Sequence, residues 1–341
     1  MKRHTLSLLA LATTQLAALP PSEVSITIVG DKRVITSNGI PDHPTGQFPG
    51  PRNPNTISEQ NQSFQVPAAP EIAAQTTPLG MHPFGVAVNG VVLDPGAAEW
   101  WNRDRFSGWQ YEPLSGVIDL GTDQSNAHVQ PTGTYHYHGI PHELIQNLTG
   151  GRPQMVLIGW AADGFPIYGE WGYSDPTDPE SGLTLLTSSY AVKQGTRPSG
   201  PGGTYDGSFV EDYEYVAGLG NLDEANGAFG PTPEFPEGIY HYHVTDSFPF
   251  IPRLFKGTPD SSFFRGGPGG PGGARRFAGP SGGGRQGGPG TSGGPPPFGG
   301  GPGGANSGNG FPPPPPGGGP PPGMGRGGFP PPPRGGFRDR R

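Results

Sequence analysis

Gly133-Thr134-Tyr135-His136-Tyr137-His138 recurs as Gly238-Ile239-Tyr240-His241-Tyr242-His243, 105 residues further on. Successive side chains of a β-strand point to opposite faces, so this alternation reads as a strand with both imidazoles on one face and both phenols on the other. Identity across Tyr-His-Tyr-His in two places is far beyond chance and points to a duplicated unit with a pseudo-two-fold axis. A Phe-containing turn precedes each copy, Pro83-Phe84-Gly85-Val86 and Gly164-Phe165-Pro166-Ile167, at unequal distances.

Strand signals continue on either side of the repeat. Val24-Ser25-Ile26-Thr27-Ile28-Val29 alternates and is turned by Asp31-Lys32 into Arg33-Val34-Ile35-Thr36. Residues 84–88 and 91–93 flank Asn89-Gly90, a pair suited to the type I′ turn of a hairpin. Further strands are expected over 116–120, 134–138, 155–160, 166–168, 183–190, 214–216 and 239–245. Helical patterns are short and confined to 97–103 and 142–147. The fold class is therefore mainly β, a β-sandwich or barrel-like single domain with internal duplication. The Pro-, Asn- and Gln-rich stretch 41–78 is expected to wrap this body as an extended segment rather than to form strands.

Composition divides the chain near residue 260. Of 62 Gly and 47 Pro in 341 residues, 31 Gly and 20 Pro lie in 261–341 without a collagen period. Such a segment buries too little apolar surface to offset chain entropy and is expected to be disordered. It carries nine Arg, no Lys and one acid, Asp339, whereas the whole chain has a net charge of −7. The cationic tail is suited to acidic polysaccharide or the cell envelope, or serves as a solvated spacer. The acidic body lacks the basic face that nucleic acid requires.

At the other end, Met1-Lys2-Arg3-His4 is followed by an uncharged run from Leu6 to Leu19 with small residues at Ala17 and Ala18. This is the layout of a secretory signal peptide over residues 1–18. It leaves a body over 22–260 expected outside the cytoplasm, extracellular or periplasmic, with no membrane span. The chain has no Cys, so thiol nucleophiles, thiolate zinc sites and disulfides are excluded, and a metal site must use His, Asp, Glu or backbone oxygen.

Two His separated by one residue on a strand lie about 6.6 Å apart at Cα and can both reach one metal ion. His136, His138, His241 and His243 are the leading metal-ligand candidates; if their strands were neighbours, four imidazoles would converge on copper or zinc. His128 lies eight residues before His136, so that a hairpin would place the two side by side, and His82 is a further candidate. His142, Asp123 and Asp163 are weaker ones, each on its own more a turn or surface residue. A His-Tyr strand that only lines a polar groove remains the alternative. The carboxylates of Asp206, Glu211, Asp212, Glu214, Asp223 and Glu224, with Asn226, offer hard oxygens to calcium, but their spacing lacks the EF-hand pattern and favours a solvated loop. Enzymatic motifs for phosphate, dinucleotide or nucleophilic chemistry are absent, and the chain reads as a binding protein more than an enzyme. Trp100, Trp101, Trp109, Trp160 and Trp171 support a carbohydrate-binding alternative; an extracellular polymer hydrolase is a third reading.

The two Tyr-His-Tyr-His strands resemble the YHYH-domain family, together with Ser37-Asn38-Gly39-Ile40-Pro41-Asp42-His43 and Asp163-Gly164-Phe165-Pro166-Ile167-Tyr168-Gly169. Leu222-Asp223-Glu224-Ala225-Asn226-Gly227 and Pro249-Phe250-Ile251-Pro252 extend the resemblance to about residues 24–258. It implies a secreted or surface domain and names no reaction. It also implies Cys at the positions that Ala225 and Leu254 occupy here, so this chain lacks any bridge such residues form.

Overall fold

The computed structural model describes residues 18–264. The expected signal peptide, except for its last residue, and the Gly/Pro/Arg-rich tail beyond Phe264 lie outside these residues. Seventeen strands are formed among the described residues. The first three, β1 (Val24–Val29), β2 (Lys32–Ser37) and β3 (Gln62–Pro67), make an antiparallel sheet of their own. Then come β4 (Thr77–Pro78), β5 (Gly85–Ala87), β6 (Val92–Leu93), β7 (Ala127–Val129), β8 (Tyr135–Tyr137), β9 (Leu157–Ala161) and β10 (Pro166–Tyr168). The series ends with β11 (Trp171–Asp175), β12 (Asp178–Leu185), β13 (Tyr190–Val192), β14 (Tyr213–Tyr215), β15 (Gly227–Gly230), β16 (Ile239–His243) and β17 (Leu254–Phe255). Among the described residues one α-helix, α1 (His142–Thr149), follows β8. No helix among the described residues is long and apolar enough to cross a membrane.

The main sheet is a curled half-barrel of eight strands in the order β15-β16-β10-β9-β5-β6-β8-β7. It is two copies of one four-stranded unit. In the first, β5 and β6 form a hairpin, β8 lies parallel to β6, and β7 closes antiparallel on β8. In the second, β9 and β10 form the hairpin, β16 lies parallel to β10, and β15 closes antiparallel on β16. The units meet where β5 runs antiparallel to β9, with Val86 opposite Trp160. This is the pseudo-two-fold that the repeated hexapeptide predicts.

Aligning the two hairpins pairs Asn89-Gly90 with Asp163-Gly164, Ala87 with Ala161 and Gly85 with Gly159. The repeat therefore does not match the two Phe-containing turns: Phe84 corresponds to Ile158, and Phe165 to Val91. At the central seam Gly85 faces Ala161 and Gly159 faces Ala87. A Cβ on Gly85 would lie 2.5 Å from the Trp160 carbonyl oxygen, and one on Gly159 would lie 2.6 Å from that of Val86. Each unit needs the small residue so that the other can approach.

The phenol faces of β8 and β16 pack into the core, with Tyr135, Tyr137 and Tyr242 fully buried and Tyr240 nearly so. Phe84 packs edge-on to Tyr242 and stacks on Phe255, both at 4.9 Å between ring centres. Burying such rings supplies much of the apolar driving force, but their hydroxyls need partners at depth. Each unit provides one from a matching loop. Tyr135 donates to Asp123 at 2.7 Å, and Tyr240 donates to Asp223 at 2.9 Å. Three residues on, Asn126 and Asn226 both adopt positive φ (53° and 56°), and their carbonyls accept the N–H of His138 and His243.

Tyr242 donates to the Asp163 carboxylate at 2.5 Å, which also accepts the Gly257 N–H at 2.8 Å. Asp163 is buried, and loss of hydration pushes its carboxyl from 3.8 up to about 6. A carboxyl that holds its proton more tightly when folded stabilises the fold at low pH. That contribution is lost as pH rises from about 4 to about 6 and amounts to at most about 3 kcal/mol. Asp163→Asn is therefore expected to flatten the fall in stability across this window, as read by urea unfolding at pH 4 and pH 6. A fall as steep as in wild type would show that Asp163 does not carry it.

Several expected elements differ in the structure. Residues 116–120 form bends rather than a strand, and 97–103 yields only a 3₁₀ turn, Trp101–Arg103, in which Asn102 and Arg103 have positive φ. The segment 41–78 does contain strands. Gln62–Pro67 alternates, with Phe64 and Val66 fully buried, and pairs with β2; Thr77–Pro78 pairs with β17. The folded body also runs past residue 260: Ser261–Phe263 is a 3₁₀ turn whose buried Phe263 stacks on Phe64 at 4.5 Å.

Candidate metal centre

Strand pairing places His128 of β7 directly opposite His136 of β8, and His138 follows on the same face. The three rings form a triangle with 4.7 Å between every pair of centres. One nitrogen from each lies within 4.8 Å of the other two. A point equidistant from nitrogens so spaced is about 2.8 Å from each, against about 2.0–2.1 Å in a metal–imidazole bond. Small ring rotations, closing by less than about 1 Å, would bring all three into bonding range.

The backbone orients the rings. His128 Nδ1 hydrogen-bonds to the Leu120 carbonyl at 2.8 Å, and His136 Nδ1 to that of Thr134 at 3.3 Å. With a carbonyl accepting at Nδ1, the lone pair sits on Nε2, the tautomer that binds metal through Nε2. His138 is 1 % exposed and neither of its ring nitrogens makes a well-formed hydrogen bond, although the Pro95 carbonyl approaches it. A buried imidazole left in that state is costly unless something else completes it. Burial pushes the His128 imidazole below the usual histidine value, against the pull of the Leu120 carbonyl and the Glu99, Asp94 and Asp123 carboxylates. His138 is pushed well below by burial and by its neighbours His136 and His128. Both shifts favour the neutral imidazole, the form a metal needs.

The triad opens into a cleft of about 420 Å³ that Arg52, Asn55, Met81 and Glu99 also line. Asp94, buried beside it, and Met81 carry no local motif that marks them as site residues.

In the second unit, His241 and His243 occupy the places of His136 and His138, with ring centres 5.2 Å apart. The register puts Ala228 opposite His241, as His128 is opposite His136. The third imidazole is therefore missing there. The four repeat histidines do not converge. Four strands, β10, β9, β5 and β6, separate β16 from β8, and at about 4.8 Å per step the two pairs lie far beyond the reach of one ion.

The other candidates lie elsewhere. His82 packs against the ring of Phe264 at 4.8 Å, and His142 is exposed at the start of α1. Asp123 and Asp163 serve the phenol face. His43 also supports this face: its Nε2 pairs with the Tyr137 hydroxyl at 2.6 Å, and Asn89 Nδ2 donates to the same hydroxyl and to Asp42. In the acidic stretch, Asp206 and Asp212 bind Arg197, Glu211 accepts the Gln110 N–H, and Asp223 accepts from Tyr240 and Lys256. The tryptophans do not form one platform: Trp109 is buried, and Trp160 is buried beneath the Arg33 guanidinium at 3.4 Å.

These features define a class: a duplicated, mostly-β domain whose halves each end in a histidine-bearing strand backed by hydrogen-bonded tyrosines. The chain belongs to the YHYH family, whose description, YHYH protein, matches residues 63–257. No curated protein and no solved structure matches the chain.

Proposed function

We propose that the protein binds one divalent transition-metal ion, copper or zinc, through His128, His136 and His138. The observation that carries this reading is the triangle of imidazoles, two held by backbone carbonyls and the third buried without a well-formed hydrogen bond. Three nitrogens facing a cleft leave a fourth position for water or an incoming ligand, the arrangement of open rather than closed sites. Copper(II) and zinc both suit imidazole donors.

The test is metal titration of the full-length protein followed by dialysis and elemental analysis. One equivalent of zinc or copper(II) is expected, and His136→Ala/His138→Ala is expected to lose it while keeping the wild-type far-UV spectrum. Less than about 0.2 equivalents in the wild type, or full retention in a folded double variant, would sink the proposal. Loss of at least tenfold in affinity, about 1.4 kcal/mol, is expected on His128→Ala alone.

A further inference from the structure

His241 and His243 end in a second cavity of about 50 Å³, on the far side of the pseudo-two-fold from the triad. Both rings are anchored like their counterparts. His241 Nδ1 bonds to the Ile239 carbonyl at 2.9 Å and His243 Nδ1 to that of Gly169 at 2.7 Å. In each the lone pair then falls on Nε2. His243 is fully buried, and its Nε2 has no hydrogen-bond partner among the described residues. Met155, 3 % exposed, lines the same cavity.

Met155 is the symmetry equivalent of Met81. The alignment that pairs Gly85 with Gly159 and Asn89-Gly90 with Asp163-Gly164 also pairs these two, and Met81 lines the triad cleft as Met155 lines this cavity. They are the only methionines among the described residues. In the first unit the Met81 thioether is engaged by Gln110 Nε2 at 3.2 Å.

We infer that the second unit holds a separate metal site, formed by His241, His243 and Met155, that takes copper(I). Two imidazoles and a thioether are a soft, three-coordinate donor set that suits copper(I). The remaining wall is mostly apolar, with Tyr173, Ser174 and Asn221 as neutral polar neighbours, and supplies no carboxylate. A doubly charged ion would be buried there without a counter-charge, whereas a singly charged one loses less hydration. Zinc prefers a tetrahedron built from imidazole, thiolate or carboxylate ligands, and this cavity offers no third imidazole and no anionic ligand. The site goes beyond the triad and does not depend on it.

The test is anaerobic titration of the full-length protein with copper(I) delivered from a chromogenic chelator, beside a zinc titration of the same preparation. In His136→Ala/His138→Ala one equivalent of copper(I) is expected to bind, and adding Met155→Leu is expected to weaken it at least tenfold. The zinc titration reports on the triad alone, so its failure leaves this result intact. Should Met155→Leu unfold, X-ray absorption at the copper edge of the copper(I)-loaded His double variant decides instead, and a sulfur neighbour is expected. No copper(I) uptake by that variant, uptake indifferent to Met155→Leu, or a copper shell of nitrogen and oxygen only would each overturn the inference.

Discussion

Ala228→His is expected to bind two equivalents of zinc where the wild type binds one. Residue 228 stands opposite His241 in the same register that sets His128 opposite His136, so the substitution restores the third corner of a triangle whose other two corners exist. Cross-strand neighbours on one face lie about 4.5–5.5 Å apart at Cβ, close enough for both imidazoles to share an ion. Ala228 is half-buried on the edge strand β15 and borders the existing cavity, so the larger ring has space on the open side. The gain should be at least tenfold in zinc affinity at the second site, about 1.4 kcal/mol. Competition with a zinc chelator measures it. A folded variant that still binds one equivalent would show that the two units are not equivalent as ligand frames.

Asp212→Ala is expected to cost about 3–5 kcal/mol. Its side chain is fully buried and meets Arg197, only 5 % exposed, through two hydrogen bonds of 2.8 and 2.6 Å. The same carboxylate accepts the Gly207 and Phe209 N–H groups at 3.0 and 3.3 Å, tying the loop before β14 to the guanidinium. Removing it strands a buried cation and two amides. Asp206 touches the same guanidinium, but its side chain is 56 % exposed, so Asp206→Ala should cost below about 1 kcal/mol. Urea unfolding of both variants gives the comparison, and equal losses would refute the assignment of the ion pair to Asp212.

The histidine geometry was legible because it follows from strand alternation alone. Tyr135 to His138 must present two imidazoles together wherever the strand sits. Which third residue joins them depends on strand partner and register. His128 was within reach of that reasoning, since a short hairpin back from His136 puts the two side by side. The convergence of all four repeat histidines was not, because it required β8 and β16 to be neighbours. Each instead pairs in parallel with the second strand of its own hairpin, and a parallel partner leaves no turn signal in the sequence. The kinship of Met81 and Met155 was hidden for another reason. The second unit carries β11 to β14 between its hairpin and its Asp223 loop, so equivalent residues drift apart in number along the chain. Strands β7 and β15 carry little signal in the sequence because they are short and contain Ala127, Gly227 and Ala228, residues with little strand preference of their own. The 116–120 segment misled in the opposite sense, as its apolar residues lie among bends at the surface, with Val117 56 % exposed.

The seam between β5 and β9 has the form of an isologous interface, the same edge meeting itself across a two-fold, as in a symmetric dimer. Here both partners belong to one polypeptide. In a true homodimer every substitution appears twice, and a change at one site is imposed on its twin. Fusion lifts that constraint. One copy can keep His at position 128 while the other carries Ala at 228, and the shared tyrosine-backed frame holds both. Two histidine-bearing frames of common design are thus free to diverge.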